Sequence, residues 1–583
     1  MPKTKTLLAL FWLAFIVRGA WYCAVQPPWE GYDEPYHFAA LQHVANGRGL
    51  TRTDTPISLE VQKTLHLLPI PWELQFQPIP RPLITHEDFW NLPAEDRERR
   101  INAVRALDPA ERRQEGTQPI LNYEGQQPPL YYWLLAIPLR WASSLPLLSR
   151  LYLLRLVNVL VGSMAIPIAY WIGRRVLQNE AQARGVTGII VLLPELMVNV
   201  ARIGNESLAL VFYTAMLASA VMVIQKPLSW RAWLTLGVGL GCGLLTKAYV
   251  LSAVPAVIAV AVVSIWPYRE ATRRAHFSSI GIRLGVSLAV AACIAGAWYT
   301  RLHVMTGSWT GVTIDAAVGR VSLAGKVAAI PHVNWKSGFA SILISHVWFG
   351  AWSFLRVPIA IYVVGFAVIA LAGIGVLRGL LRRRGPANER RSIIILAAFY
   401  LCFWAGLLYE VVIAYMVFGV SASAGWYLYA TIAAEVVLLV WGLESFLPAG
   451  TVISGLALGV AALDLYGMHA LLMPYYVGFT VHVGSFVRPV LWAAVIHVPT
   501  MFDRLAQLRP GWLNAPLLMT CWVGYWAATI GIATAVVLLF RRRFAEPRCD
   551  LANRQCNSSH PIPNRQCCNR ANIKTRWRAL LRW

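Results

Sequence analysis

The chain alternates between long apolar segments and short polar connections, a pattern typical of a protein with many membrane helices. A helix that crosses a bilayer needs about 20 mainly apolar residues. The pattern therefore predicts an all-α polytopic membrane protein with about twelve transmembrane helices and a large first extracytoplasmic loop. The predicted spans are residues 7–25, 151–173, 186–201, 207–224, 233–246, 248–267, 284–299, 356–377, 392–416, 426–446, 451–468 and 515–540.

Basic clusters between the spans predict their orientation, because Lys and Arg near span ends favour the cytoplasmic side. With these spans every cluster falls on one side, and both chain ends are cytoplasmic. Counting residues 123–139 as a further span would reverse the order, so we expect that segment to lie in the membrane interface, anchored by Tyr131, Tyr132 and Trp133. The clusters are Arg174/Arg175/Arg184, Lys226/Arg231, Arg269/Arg273/Arg274/Arg283, Arg378/Arg382/Arg383/Arg384/Arg390/Arg391 and Arg541/Arg542/Arg543.

Composition agrees with a membrane protein: 57% of the 583 residues are hydrophobic, 14% are charged, and mean hydropathy is +0.51. The net charge of +24 does not indicate nucleic-acid binding, because the basic residues are divided among short clusters.

The start lacks a small-x-small cleavage site, so the first span is predicted to be an uncleaved signal anchor. Residues 544–583 contain Cys549, Cys556, Cys567, Cys568 and His560, whose spacing matches no common zinc pattern. This tail is predicted to be disordered.

The segment QPPWEGYDEPYHF, residues 26–38, places three acids directly after the first span. Two ionised groups at a membrane edge must face water, a cavity or a cation. Asp33 and His37 are four residues apart and share a helix face, whereas the adjacent Glu34 points elsewhere. One acid can therefore work as a base while the other bonds its neighbours or a metal ion. The alternative is that the acids only cap the following helix, which we expect to include Phe38, Leu41 and Val44.

Two sequences between the first and second spans carry a family resemblance: PPWEGYDEPYHF after the first span and YEGQQPPLYY before the second. Together with ARIGNESLAL (201–210) and GLGCGLLTKAYVL (239–251), they resemble the GT-C class of membrane glycosyltransferases, which use a polyprenyl-phosphate sugar. The chain is similar to the protein O-mannosyltransferase and aminoarabinose transferase families, and most of all to a bacterial multi-pass branch. The resemblance covers about residues 7–450. It implies a catalytic module in residues 1–450 that includes the loop 26–149, followed by additional helices in residues 451–543.

The resemblance implies an inverting sugar transfer on the outer face of the bacterial cytoplasmic membrane. It assigns Asp33 as the catalytic base and Glu34 as its helper, with Asp33, Glu34 and Glu206 as the candidate ligands if a divalent metal is needed. The expected partners are membrane lipids, the polyprenyl-phosphate sugar and an acceptor, which is a glycan, a lipid or a protein. The expected substrate-binding residues are His37, Tyr123, Glu124, Gln127, Tyr131, Arg202, Asn205, Glu206, Lys247, Arg356, Trp426 and Tyr427.

One departure from the family pattern leaves alternatives open. Related sequences often have Gly-Arg-Tyr where this chain has Gly425-Trp426-Tyr427. Either Arg356 or Lys247 replaces the missing arginine at the donor phosphate, or the donor is bound differently, or the chain is an inactive scaffold. A transporter or lipid flippase is the other alternative, since Glu410 and Glu435 fall within predicted spans.

Overall fold

The computed structural model describes residues 4–266, 270–319, 321–483, 486–490 and 496–541. In these ranges the protein is an all-α membrane protein. Ten helices are long and apolar enough to cross a membrane, and a bent pair, Glu180–Leu192 and Pro194–Val200, makes an eleventh. The ten are Thr4–Val25, Leu147–Leu177, Glu206–Gln225, Ala248–Ile265, His276–Thr306, Ile359–Leu381, Ala387–Phe418, Gly425–Leu443, Ala449–Tyr476 and Ala515–Phe540. The predicted tail at 544–583 and the basic-cluster residues Arg269, Arg542 and Arg543 lie outside the described residues.

The remaining predicted span, residues 233–246, corresponds to the helix Trp230–Leu244, which has only 15 residues. Its glycine-rich sequence packs against the long helix Glu270–Thr306. A Cβ added at Gly237 would lie 2.4 Å from the carbonyl oxygen of Ser287, so the two backbones approach as closely as glycine allows. The small residues at close spacing in GVGLGCGLL (237–245) predict tight helix packing, and the structure confirms it at Gly237.

The bent pair changes direction by 60° between Leu192 and Pro194. Proline cannot donate the hydrogen bond that would continue the first helix. The buried guanidinium of Arg18, in the first span, bonds the carbonyl groups of Val191 and Leu192 next to the break, the latter at 2.9 Å. Asp464 pairs with Arg18 at 2.8 Å. This buried pair lets the chain turn inside the bundle without leaving backbone groups unsatisfied.

The first loop is a folded layer of short helices. They are Glu34–Ala45, Leu59–Leu67, Trp72–Phe76, His86–Asn91, Ala94–Arg105, Pro109–Arg113, Tyr123–Gln126 and Leu130–Trp141. Residues 53–116 are expected from their proline and charge to be a solvent-exposed insertion, but Ile57, Val61, Leu65 and Leu74 are fully buried. The charged residues of Ala94–Arg105 occupy the outer surface of this layer.

The predicted interfacial segment forms the helix Leu130–Trp141, whose 12 residues are too few to cross a bilayer. Its position between the first loop and the span Leu147–Leu177 agrees with the predicted interface helix.

The other connections are also helical for much of their length. Between the spans at 276–306 and 359–381 lie Thr313–Ala317, Leu323–Ala329, Ile330–His332, Trp335–Val347 and Ala351–Ser353. After Tyr476, the strands Thr480–Val483 and Phe486–Pro489 pair antiparallel, and the helix Val498–Gln507 precedes the last span.

Candidate active site

Asp33 lies directly before the helix Glu34–Ala45, in a left-handed backbone conformation with φ 57°. Such a conformation costs a non-glycine residue energy unless surrounding contacts hold it. The hydroxyl of Tyr123 donates a hydrogen bond to the carboxylate of Asp33. Asn122 donates to the Tyr36 carbonyl at 2.9 Å and fastens the Tyr123 segment to the same helix. The segments PPWEGYDEPYHF and YEGQQPPLYY therefore meet at Asp33.

Glu124 forms a second carboxyl group beside Asp33. Burial and the neighbouring charge of Asp33 raise the pKa of Glu124 to about 8, and Gln127 donates to it at 2.6 Å. Burial also raises the pKa of Asp33, while the bond from Tyr123 and the positive charges of Arg202 and Lys247 oppose that rise. The raised pKa favours the protonated form of Glu124 at neutral pH, while the bond from Tyr123 and the two cations favour the ionised form of Asp33.

A charged cluster, formed by Arg202, Glu206 and Lys247, lies beside this pair. Glu206 accepts a hydrogen bond from the ammonium group of Lys247 and forms an ion pair with Arg202 at 2.9 Å. Lys247 also donates to the side-chain oxygen of Asn205 at 2.9 Å. An ammonium group has three N–H bonds, so one N–H of Lys247 stays available for a ligand after these two contacts.

Hydrogen bonds connect the cluster to the acid pair. Asn205 donates to the side-chain oxygen of Gln127 at 3.0 Å and to the carbonyl of Thr246 at 3.1 Å. Because Gln127 also donates to Glu124, a continuous polar network runs from Glu124 to Lys247. Such a network fixes its members relative to one another before a substrate arrives.

Aromatic rings cover one side of the charged cluster. Tyr32 and Trp426 stack face to face, with centroids 4.0 Å apart and planes 5° apart. The Arg202 guanidinium lies 5.1 Å from the Tyr32 ring, and the Lys247 ammonium lies 5.0 Å from the Tyr427 ring. A narrow cavity opens beside these groups and is lined by Leu196, Asn199, Val200, Glu206, Leu210, Tyr249, Trp426, Tyr427, Tyr429 and Ala430.

Glu34 lies in a different environment from Asp33. Its carboxylate is fully buried and accepts bonds from Arg155, whose Nε is 2.7 Å from Oε1. The backbone N–H groups of Trp29 and Ile203 donate to the same carboxylate at 3.1 Å each. Glu34 therefore joins the first loop to the span Leu147–Leu177 and to the turn that carries Arg202.

Three other predicted site residues lie at the border of the cluster. His37 is buried, its Nδ1 is 2.7 Å from the Tyr132 hydroxyl, and burial lowers the pKa of His37 to about 3, so its ring is neutral. Tyr131 donates to Asn158 at 3.2 Å. Arg356 is exposed, with its guanidinium 5.8 Å from the Phe349 ring. Among the described residues, Arg356 has no hydrogen bond or ion pair with Arg202, Glu206 or Lys247.

The candidate metal ligands do not form a metal site. Within the described ranges, no group of three or more His, Cys, Asp or Glu side chains could hold a metal ion. The carboxylate of Glu34 is occupied by Arg155, and that of Glu206 is neutralised by Arg202 and Lys247. A divalent cation needs several oxygen ligands at one point, and these residues do not supply them.

The model of the dolichyl-phosphate-mannose-protein mannosyltransferase family matches residues 130–306. The chain is similar to this family over that segment. The match confirms the resemblance to membrane glycosyltransferases predicted from the sequence. It begins at the helix Leu130–Trp141 and includes Arg202, Glu206 and Lys247. No curated protein sequence matches the chain.

Two solved structures resemble the fold. ArnT from Cupriavidus metallidurans, bound to undecaprenyl phosphate, has 12% identity and a TM-score of 0.45, and the match covers 92% of this chain and 78% of that one. The oligosaccharyltransferase of Archaeoglobus fulgidus in its apo form has 13% identity and a TM-score of 0.39, with 87% of this chain and 56% of that one covered. Similarity at this level identifies neither substrate nor activity.

Sequence reasoning did not identify Arg155 or Tyr32 as parts of this site. Arg155 had a usable signal, because an ionisable residue inside an apolar span requires a partner. Glu34, the nearest buried acid on the first loop, is that partner. Tyr32 had no such signal, since its stacking on Trp426 joins positions far apart in the chain.

Proposed function

We propose that this protein is a glycosyltransferase that moves a sugar from a polyprenyl-phosphate donor to an acceptor hydroxyl on the extracytoplasmic side of the membrane. The observation that carries the proposal is that Asp33 lies within electrostatic range of Arg202 and Lys247, beside Glu124, which a hydrogen-bond network joins to Lys247. A transferase of this kind needs a base for the acceptor and fixed cations for the phosphate that leaves.

Asp33 is the proposed general base. Its carboxylate is partly exposed, and the proton on Glu124 leaves it as the ionised member of the acid pair. The acceptor hydroxyl gives its proton to Asp33 while its oxygen attacks the anomeric carbon. The bond from that carbon to the phosphate oxygen breaks, and polyprenyl phosphate leaves with the electron pair. Attack opposite the leaving group inverts the anomeric configuration.

Lys247 and Arg202 are proposed to stabilise the phosphate as it leaves. Lys247 retains one free N–H, and the buried Nε of Arg202 has no hydrogen-bond partner among the described residues. Glu206 holds both cations in place and is therefore proposed as a positioning residue. Glu34 has the same positioning role, through Arg155.

Asp33→Asn tests the proposal in membranes that contain the full-length protein. Loss of a general base lowers the rate by about 10²- to 10⁴-fold, so sugar transfer from a polyprenyl-phosphate donor should fall by that amount. Glu98→Gln, at an exposed position in Ala94–Arg105, is the matched control and should transfer normally. Unchanged transfer by Asp33→Asn would show that Asp33 is not the base.

A further inference from the structure

Six aromatic side chains form a continuous ladder from the candidate site to the outer surface of the first loop. Consecutive ring centroids lie 4.0, 5.6, 4.5, 5.6 and 4.5 Å apart. The inner end is buried beside Arg202, whereas Trp72 and Phe76 at the outer end are 46% and 65% exposed. The ladder consists, in order, of Tyr32, Trp426, Phe349, Phe354, Trp72 and Phe76.

Two buried carboxylates hold the middle of the ladder in position. Glu195 accepts from the backbone N–H groups of Phe349 and Gly350 at 2.9 and 3.3 Å. Glu30 accepts from the N–H of Ser353 at 2.9 Å, and its other oxygen lies 3.0 Å from Nε2 of His86. Both glutamates are fully buried. The loop that carries the central rings is therefore fixed in the absence of a ligand, which reduces the entropy lost on binding.

The outer end of the ladder is exposed to solvent. Its sequence, Trp72-Glu73-Leu74-Gln75-Phe76-Gln77, places the polar residues Glu73, Gln75 and Gln77 next to the exposed rings along the chain. Glu73 is half-buried, and its pKa is raised by burial and by the charge of Asp33, so this segment lies within electrostatic range of the proposed base. Arg356, which is exposed, adds a cation above Phe349.

This combination favours one chemical class of ligand. A lipid chain on the exposed rings would remove water from the neighbouring polar side chains Glu73, Gln75 and Gln77 without giving them hydrogen bonds, which costs free energy. A carbohydrate has apolar C–H faces that stack on aromatic rings and hydroxyls that bond carboxylates, amides and guanidinium groups. Binding sites that combine aromatic walls with a few polar groups suit such amphipathic ligands.

We propose that the ladder is the acceptor-binding track and that it takes a carbohydrate chain, whose rings stack on Phe354, Trp72 and Phe76 and lead its terminal hydroxyl to Asp33. The inference rests on the proposed function, because it names the acceptor class for that transfer. It also selects a glycan among the three acceptor classes left open by the sequence.

Saturation-transfer NMR on the purified full-length protein tests the track without requiring activity. The probes are chitopentaose, cellopentaose and maltoheptaose. We expect saturation transfer to at least one probe with the wild type, and a loss of affinity of about tenfold in the double variant Trp72→Ala/Phe76→Ala. Trp141→Ala removes an 82% exposed tryptophan at the end of Leu130–Trp141 and should bind as the wild type does. No signal with any probe, or equal affinity in the double variant, would overturn the track.

The Asp33→Asn variant separates this inference from the proposed function. If it loses transfer while the double variant binds the probes normally, the function stands and the track is wrong. If the probes bind through Trp72 and Phe76 but the wild type transfers no sugar, the track stands and the proposed function is wrong.

Discussion

The carboxylate of Glu34 and the guanidinium of Arg155 form an ion pair in which neither side chain is exposed to solvent. The adjacent Asp33 is partly exposed and accepts its hydrogen bond from a neutral hydroxyl, that of Tyr123. Two neighbouring acids of one motif therefore have opposite surroundings. We infer that Glu34 stabilises the first loop and that Asp33 is the one available for chemistry.

Glu34→Gln should destabilise the protein, whereas Asp33→Asn should not. Removing one partner of a buried ion pair costs about 3–5 kcal/mol, because the other charge stays buried without compensation. The measurement is thermal unfolding of both purified variants in the same detergent. The double variant Glu34→Gln/Arg155→Gln removes both charges and should recover part of the loss. A Glu34→Gln protein as stable as the wild type would contradict the structural role.

Hydropathy and the distribution of basic residues predicted the membrane fold, because both signals act over whole segments. They also predicted the short helix Leu130–Trp141, and the close spacing of small residues predicted the tight packing at Gly237. The family resemblance placed Arg202, Asn205, Glu206 and Lys247 among the candidates, and the structure brings these four together. Their roles stay predictions.

Long-range contacts could not be predicted in the same way. Asp33 and His37 share a helix face by spacing, but the structure pairs them with Tyr123 and Tyr132 respectively. Arg155 reaches Glu34 across 121 positions, and no local pattern encodes that distance. The ladder residues Trp72 and Phe76 were not predicted, because they lie in a segment whose proline content and charge indicated only an exposed insertion.

The protonated state of Glu124 should make stability depend on pH. The pKa of Glu124 is about 8 in the folded protein and near its ordinary value of 4.5 in the unfolded chain. Between these values the folded state binds the extra proton, so stability falls as pH rises. We expect the unfolding midpoint of the wild type to decrease from about pH 6 to about pH 9.

Glu124→Gln is the control for that pH dependence. The amide has the shape of the protonated carboxyl and cannot ionise, so the variant should show a smaller decrease over the same range. It should also keep the hydrogen bond with Gln127, since an amide oxygen can accept it. Identical pH profiles for the wild type and the variant would show that Glu124 does not hold the proton.

Lys247→Met should weaken donor binding more than acceptor binding. A hydrogen bond to a charged group contributes about 1.5–3 kcal/mol, which corresponds to an increase in the donor KM of about 10- to 100-fold. Lys247→Arg keeps the charge and should recover part of the loss. Lys226→Met, at an exposed lysine, is the control. An equal increase in both KM values, or none, would argue against a phosphate contact at Lys247.

Arg18 and Asp464 should be coupled energetically, because their pair holds the helix break that precedes Arg202. Asp464 also accepts from Tyr22 at 2.6 Å and from Tyr525 at 2.8 Å, so neutralising Arg18 leaves a buried carboxylate with hydroxyl partners only. Each single variant, Arg18→Met and Asp464→Asn, should lower stability by about 3–5 kcal/mol. The double variant should lose less than the sum of the two, since contacting residues are not additive. Additive losses in thermal unfolding would mean that the two side chains act independently, and the break would then be held by the backbone and proline alone.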